Sequence, residues 1–236
     1  MPKPARISLA AILTASLLGC AAANYQEAVD SPVRTEQDRG ADAVRRPAGF
    51  LEFTQAKPGM QVLDVLAAAG YSSQLLALAV GPTGVVYAQN TQPRPALTER
   101  LSRNPQANFI PVVRPFEDPV PEGAPKLDLI TIIQNYHDIC YLPVDRVKMN
   151  QRLFAALKPG GHLVVIDHSA RAGTGVGDVK SLHRIDEAVV RADFLQVGFK
   201  LEAEGDFLRN PADPRDQMSY GSKIPTDKFA LRFVKP

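Results

Sequence analysis

The sequence is poor in the features that most readily declare a function. It has two cysteines in 236 residues, Cys20 and Cys140, so at most one disulfide is available and no disulfide framework can staple the fold. Charge of one sign is also lacking: 27 basic against 25 acidic residues give no electrostatic reason to expect a nucleic-acid partner. The one long apolar run, from Ile7 to Leu18, is too short to span a bilayer comfortably. No GxGxxG follows a strand-like segment, which argues against a dinucleotide-dependent oxidoreductase. The glycine-rich stretch from Arg171 to Asp178 lacks the Lys-Ser/Thr ending of a phosphate loop and reads as a mobile lid.

What remains is an ordinary globular composition, 45% hydrophobic and 22% charged, with length enough for one sizeable core. The 20 prolines exceed the usual share of about 5% and fall mostly between periodic segments, where they mark loops. At the N-terminus, Lys3 and Arg6 precede the apolar run, the pattern of a secretory signal. Its end, Leu17-Leu18-Gly19-Cys20, resembles the bacterial lipobox. That resemblance implies a signal peptide over 1–19, lipidation of Cys20 and attachment to the periplasmic face of a bacterial membrane. Ala21 after the cysteine points, by the same resemblance, to the outer membrane. An ordinary signal peptide with a chance cysteine, or an uncleaved anchor, are the alternatives. Removal of 1–19 leaves 25 basic and 25 acidic residues, and an acylated Cys20 leaves Cys140 without a partner. Residues 20–45 are polar and mixed in charge, as expected of a tether leading into a first helix. Asp38, Asp42 and Arg46 sit there at helical spacing, the pattern of a solvated face with a weak ion pair.

From residue 46 onward the chain reads as one domain. Strand-length apolar runs at Val62–Leu66, Val85–Gln89, Phe109–Val113, Leu127–Ile133 and His162–Asp167 alternate with helical segments at Tyr71–Val80, Ala96–Arg103, Val144–Leu157 and Leu182–Val197. Lys158-Pro-Gly-Gly161 is a helix stop. Two late strands follow, near Lys200–Leu208 and Lys228–Val234. The alternation predicts a doubly wound α/β domain with a mainly parallel sheet, and a ligand at the carboxyl ends of its strands.

Four motifs narrow this further: Lys57-Pro-Gly-Met-Gln-Val-Leu-Asp64 leading into Gly70-Tyr71, Gly81-Pro-Thr-Gly-Val-Val-Tyr-Ala88, Leu127-Asp-Leu-Ile130, and Leu157-Lys-Pro-Gly-Gly-His-Leu-Val-Val-Ile166. In this order they resemble class I S-adenosylmethionine-dependent methyltransferases, in particular the exported bacterial ones. The resemblance implies a Rossmann-like, seven-stranded sheet with an antiparallel last strand, and S-adenosylmethionine as cofactor. It implies cofactor contacts from Asp64, Leu66, Ala68, Gly70, Tyr71, Asn90, Glu117, Asp118 and Gln134. Where that family has Gly-x-Gly-x-Gly, this chain has Leu66-Ala-Ala-Ala-Gly70, with Leu66 placed against the methionine moiety and Ala68 accommodated at negative φ. Asn90 stands where a carboxylate commonly accepts both ribose hydroxyls, and Glu117 and Asp118 where the adenine is met.

The candidate chemistry follows the central strand. Asn135 and Tyr136 are placed to orient an acceptor, and His137 has the pKa range of a general base. His168, Arg171, His183 and Asp186 are substrate-pocket candidates, with His183 and Asp186 expected on one helical face. The histidines and acids match no compact ligand motif, so no metal is expected. A methyltransferase acting on a small molecule or an envelope component is the leading expectation. The alternative is a lipoprotein that keeps the fold, has lost catalysis and binds another ligand or partner.

Overall fold

The computed structural model describes residues 25–236, so the segment expected to be a signal peptide and Cys20 lie outside the described residues. Seven strands form one sheet: β1 (Gln61–Val65), β2 (Val85–Asn90), β3 (Phe109–Val113), β4 (Leu127–Ile133), β5 (Leu157–His168), β6 (Lys200–Gly205) and β7 (Lys228–Val234). Their order is β3-β2-β1-β4-β5-β7-β6. The pairs through β5 are parallel, while β7 runs antiparallel to both β5 and β6. This is the expected doubly wound sheet with a reversed last strand, and the order turns around between β1 and β4, where a ligand crevice opens.

Strand periodicity separates two cores. Leu63, Val65, Ile130 and Ile132 face one apolar cluster, whereas Val62, Leu129 and Ile133 face the other, as alternation along a strand requires. The first cluster is covered by α6 (Tyr136–Tyr141), α7 (Arg146–Ala156) and α8 (Glu187–Gln196). The second is covered by α3 (Pro47–Thr54), α4 (Tyr71–Val80) and α5 (Pro95–Arg103). The Lys158-Pro-Gly-Gly161 stop ends α7 and is absorbed into β5 as an irregularity opposite Leu127 and Leu129. A Cβ at Gly161 would stand 2.9 Å from the Lys158 carbonyl oxygen, so this turn needs glycine. The expected start of α8 at Leu182 is five residues early, because Asp186 caps the helix through the Ala188 N–H.

The N-terminal segment departs most from expectation. Two helices, α1 (Tyr25–Asp30) and α2 (Glu36–Arg45), precede α3 and pack on the domain. Thr35 and Asp38 form a reciprocal capping box at the start of α2. The solvated face expected of Asp38 and Asp42 is instead an attachment. Asp38 is 4% exposed and takes a bidentate pair from Arg100, both bonds 2.7 Å. Asp42 accepts from both Arg34 terminal nitrogens, at 2.9 and 2.5 Å, and from the Tyr71 hydroxyl at 2.8 Å. Arg46 adopts φ 48° and links α2 to α3. Periodicity proposes partners four residues away; here the partners come from residues 34, 71 and 100. No helix among the described residues is long and apolar enough to cross a membrane.

Candidate functional site

β1 delivers Asp64, Val65 and then Leu66 into the turn before α4. Asp64 is buried, and its carboxylate accepts from Ser73 Oγ at 2.6 Å and Thr131 Oγ1 at 2.7 Å. Burial pushes its carboxyl up to about 6 against these two bonds and the nearby Arg45 charge. The following loop keeps a left-handed path although glycine is largely absent: φ is 55° at Leu66, 51° at Ala68 and 87° at Gly70. The negative φ expected for Ala68 is therefore corrected. For a side-chain-bearing residue this conformation costs about 1–2 kcal/mol.

Two amides at the end of β2 hold the loop there. The Leu66 N–H donates to Gln89 Oε1 and the Ala68 N–H to Asn90 Oδ1, each at 3.0 Å. Asn90 is 2% exposed and is thereby engaged as a brace instead of facing a ribose. Gln89 Nε2 donates to the Arg114 carbonyl at 2.6 Å, completing the brace. Leu66 packs against the β4 side of the core while still lining the crevice. Gly70 begins α4, and a Cβ there would meet Leu97 at 2.8 Å and Phe109 at 3.1 Å.

The crevice between this loop and the end of β4 is a cavity of about 240 Å³. Leu66, Ala68, Tyr71, Gln134 and Asn135 line one side, and α2 supplies Gln37, Asp38, Ala41 and Arg45 to another. Sequence periodicity had no means of finding the α2 contribution; the Thr35-x-x-Asp38 box marks where the helix starts but not where it lies. The Arg45 guanidinium sits 4.6 Å from the Tyr71 ring centroid and lines the cavity. Among the described residues no hydrogen bond or ion pair reaches it, and burial lowers its pKa despite the neighbouring acids. Tyr71 gives its hydroxyl proton to Asp42 in a hydrogen bond, and burial raises its pKa well above the usual phenol value. Asn135 donates to the Leu66 and Ile133 carbonyls at 2.9 and 2.8 Å, so it secures the loop.

A second group lies beside the cavity at the ends of β4 and β5. His137 is 4% exposed; Asp167 accepts from its backbone N–H at 2.8 Å and meets its Nδ1 at 2.7 Å. Its Nε2 is 3.3 Å from Asp138 Oδ1. Burial opposes a charge on His137, but Asp167 and Asp138 outweigh it and hold the imidazole at about 10. This corrects the general-base expectation: near neutral pH the ring carries its proton between two carboxylates. His183, at φ 50°, precedes α8 and turns to Asp138 Oδ1 at 3.2 Å, not to Asp186. His168 contacts Thr226 Oγ1 at 2.8 Å, and burial, then Lys228, keeps its pKa well below the usual imidazole value.

Other candidates fall elsewhere. Tyr136 is buried in the core, its hydroxyl donating to Asp193 at 2.8 Å and accepting from Asn150 at 3.1 Å. Asp118 pairs with Arg114 and Arg152, and neither it nor Glu117 lines the cavity. Arg171 is exposed. Asp186 accepts from Gly173 N–H at 2.7 Å, so the glycine-rich stretch read as a lid is anchored to the α8 cap. Arg184 and Asp213 form a buried pair that ties down the 209–216 loop.

A sheet ordered β3-β2-β1-β4-β5-β7-β6, with a crevice beyond the carboxyl ends of β1 and β4, is the class I methyltransferase fold. The solved structures most similar to it include a SAM-dependent methyltransferase from Aquifex aeolicus, 19% identical with a TM-score of 0.61, covering 90% of this chain and 99% of that one. Aeropyrum pernix fibrillarin with natively bound S-adenosyl-L-methionine is 15% identical, TM-score 0.52, over 78% of this chain and 74% of its own. The (4+2)-cyclase SpnF is 14% identical, TM-score 0.61, over 84% and 80%. No family model and no curated protein matches the chain. Identities this low establish the fold, and the cyclase is a reminder that a fold does not fix the reaction.

Proposed function

We propose that the protein is an S-adenosylmethionine-dependent methyltransferase acting on a small molecule or an envelope component. The observation that carries this reading is Arg45: a guanidinium without a hydrogen-bonding partner among the described residues, held over Tyr71 and lining the cavity at the β1–β4 crevice. Such a group fits the carboxylate of an amino-acid moiety, which it would bind through charge-assisted hydrogen bonds. The cofactor supplies an electrophilic methyl group when bound. The chain's share of the work is orientation, which can account for most of the acceleration in a displacement of this kind. Ala67, Ala69 and Gln134 shape the cavity wall, and Asn135 fixes the loop facing it. His137 does not enter as a base, because two carboxylates hold its proton.

The cavity, about 240 Å³, is below the roughly 300–1,000 Å³ of most small-ligand pockets, so a cofactor-sized ligand fills it only with some displacement of its walls, of which α2 is one. Calorimetry of the full-length chain with S-adenosylmethionine and S-adenosylhomocysteine tests the proposal; binding of at least one is expected, and heat from neither overturns it. A second reading, a fold-retaining binding protein without catalysis, is favoured by the commitment of Gln89 and Asn90 to the loop. Glycine at positions 66 and 68 together separates the two: a large gain in cofactor affinity marks a degraded site. The same proposal puts the chain on the periplasmic face of a bacterial membrane, anchored at Cys20. Loss of radiolabelled palmitate incorporation in Cys20→Ser is the expected result.

A further inference from the structure

The histidine–carboxylate group beside the cavity has the makings of a metal centre. One nitrogen each of His137 and His183 and one oxygen of Asp138 lie within 4.8 Å of one another. The Asp138 Oδ1 atom is 3.3 Å from His137 Nε2 and 3.2 Å from His183 Nδ1. For bonds of about 2.0–2.1 Å, the edge of a coordination tetrahedron is about 3.3 Å, so the oxygen already stands at the right separation from both nitrogens. The two rings come from different segments of the chain and lie 5.4 Å apart at 87°.

The surroundings carry the argument beyond a chance cluster. Asp167, 0% exposed, meets His137 Nδ1 at 2.7 Å and accepts its backbone N–H at 2.8 Å. A buried carboxylate on one ring nitrogen fixes the tautomer and aims the other nitrogen outward, which is how ligating histidines are usually held. His183 reaches the group only by adopting φ 50°, a conformation costly for a residue bearing a side chain. Asp138 and His183 have side-chain exposures of 28% and 22%, so the group opens to solvent on one side, where Tyr220 stacks edge-on against His183 at 5.0 Å. Two imidazoles and one carboxylate, with the remaining positions open, form a donor set suited to zinc or iron(II) and poorly suited to calcium or magnesium.

We propose that His137, Asp138 and His183 bind a divalent transition-metal ion, which displaces to solvent the proton shared between His137 Nε2 and Asp138, with Asp167 as the positioning residue behind His137. Asn135, two residues before His137 in the sequence, lines the cavity. On the methyltransferase reading, and only on it, the ion would hold an acceptor hydroxyl and ease its deprotonation. Binding of the ion itself is independent of that reading, and the two fail separately.

The test titrates chelator-stripped, full-length protein with zinc, by calorimetry, and with cobalt(II), by visible absorption. One ion per chain is expected. Affinity should fall at least 100-fold in His183→Ala, with loss of the cobalt bands, and about 10–100-fold in Asp167→Asn. His183 lies outside any helix and is partly exposed, so its variant should melt like the parent; Asp138→Asn gives an independent check on a second ligand. Absence of stoichiometric binding by the folded parent, or equal affinity in parent and His183→Ala, overturns the proposal.

Discussion

Replacing Gln89 by methionine tests whether the loop after β1 is held by side-chain amides. Gln89 is 0% exposed and serves two backbone groups, accepting from the Leu66 N–H at 3.0 Å and donating to the Arg114 carbonyl at 2.6 Å. Methionine preserves length and most of the volume but can do neither. A buried backbone group left without a partner costs about 1–3 kcal/mol, so two give about 2–4 kcal/mol after the glutamine's own desolvation is recovered. In a chain of this size each kcal/mol lowers the melting temperature by roughly 2–4 °C, which sets the expected fall at about 5–15 °C. Leu66 is meanwhile at φ 55°, and without its acceptor the loop is free to leave that conformation. Hydrogen exchange at the amides of 66–69 should accelerate while the centre of β4 stays protected. Thermal melts and urea titrations with an unchanged m-value measure the first effect, and exchange mass spectrometry the second. A Gln89→Met protein within 0.5 kcal/mol of the parent, with unaltered exchange in the loop, would refute the brace.

Asp64, with a folded pKa of about 6 against an ordinary value near 3.8, binds its proton more tightly folded than unfolded. Its stabilising contribution is therefore complete below about pH 4 and lost as pH rises through 6. Relative to the parent, Asp64→Asn should gain about 3 kcal/mol between pH 4 and pH 7 in urea titrations, and a pH-independent difference would contradict the assignment. Arg100→Ala leaves the buried Asp38 carboxylate unpaired, at a cost of about 3–5 kcal/mol, and should expose residues 25–45 to limited proteolysis. Arg45→Gln should weaken S-adenosylmethionine binding about 10–100-fold by calorimetry, as expected for loss of a buried charge-assisted bond; unchanged affinity would remove Arg45 from the site.

Most of the strands were legible because they are short apolar runs bounded by turn residues, β6 with its Lys200-Leu-Glu-Ala-Glu-Gly205 being an exception. Phe109–Val113, Leu127–Ile133 and Lys228–Val234 match the observed elements end to end. So does the helix Tyr71–Val80. What escaped were features set by contacts distant in sequence. Short α6 begins directly at Tyr136, too close to the end of β4 for its period to register. Asn90 looks like a ligand residue in sequence because its partner, the Ala68 amide, is 22 positions away. Helical spacing pairs His183 with Asp186, yet the helix starts at Glu187 and the imidazole turns to Asp138, 45 residues back. A neighbouring charge also reversed one role: the protonation of His137 depends on Asp167, which β5 brings to it from 30 residues downstream.

The attachment of α2 has a kinetic side. The helix contributes a wall of the cavity and is fastened through Asp38 to Arg100 and through Asp42 to the Tyr71 hydroxyl. If a cofactor-sized molecule passes by displacement of α2, those contacts part on the way in and on the way out. A clamp that recloses over the ligand and costs about 3 kcal/mol to release slows arrival and departure alike by about two orders of magnitude and leaves the dissociation constant where it was. Occupancy would then be governed by residence time, and a ligand acquired before the clamp closes would stay with the protein long after its surroundings had changed.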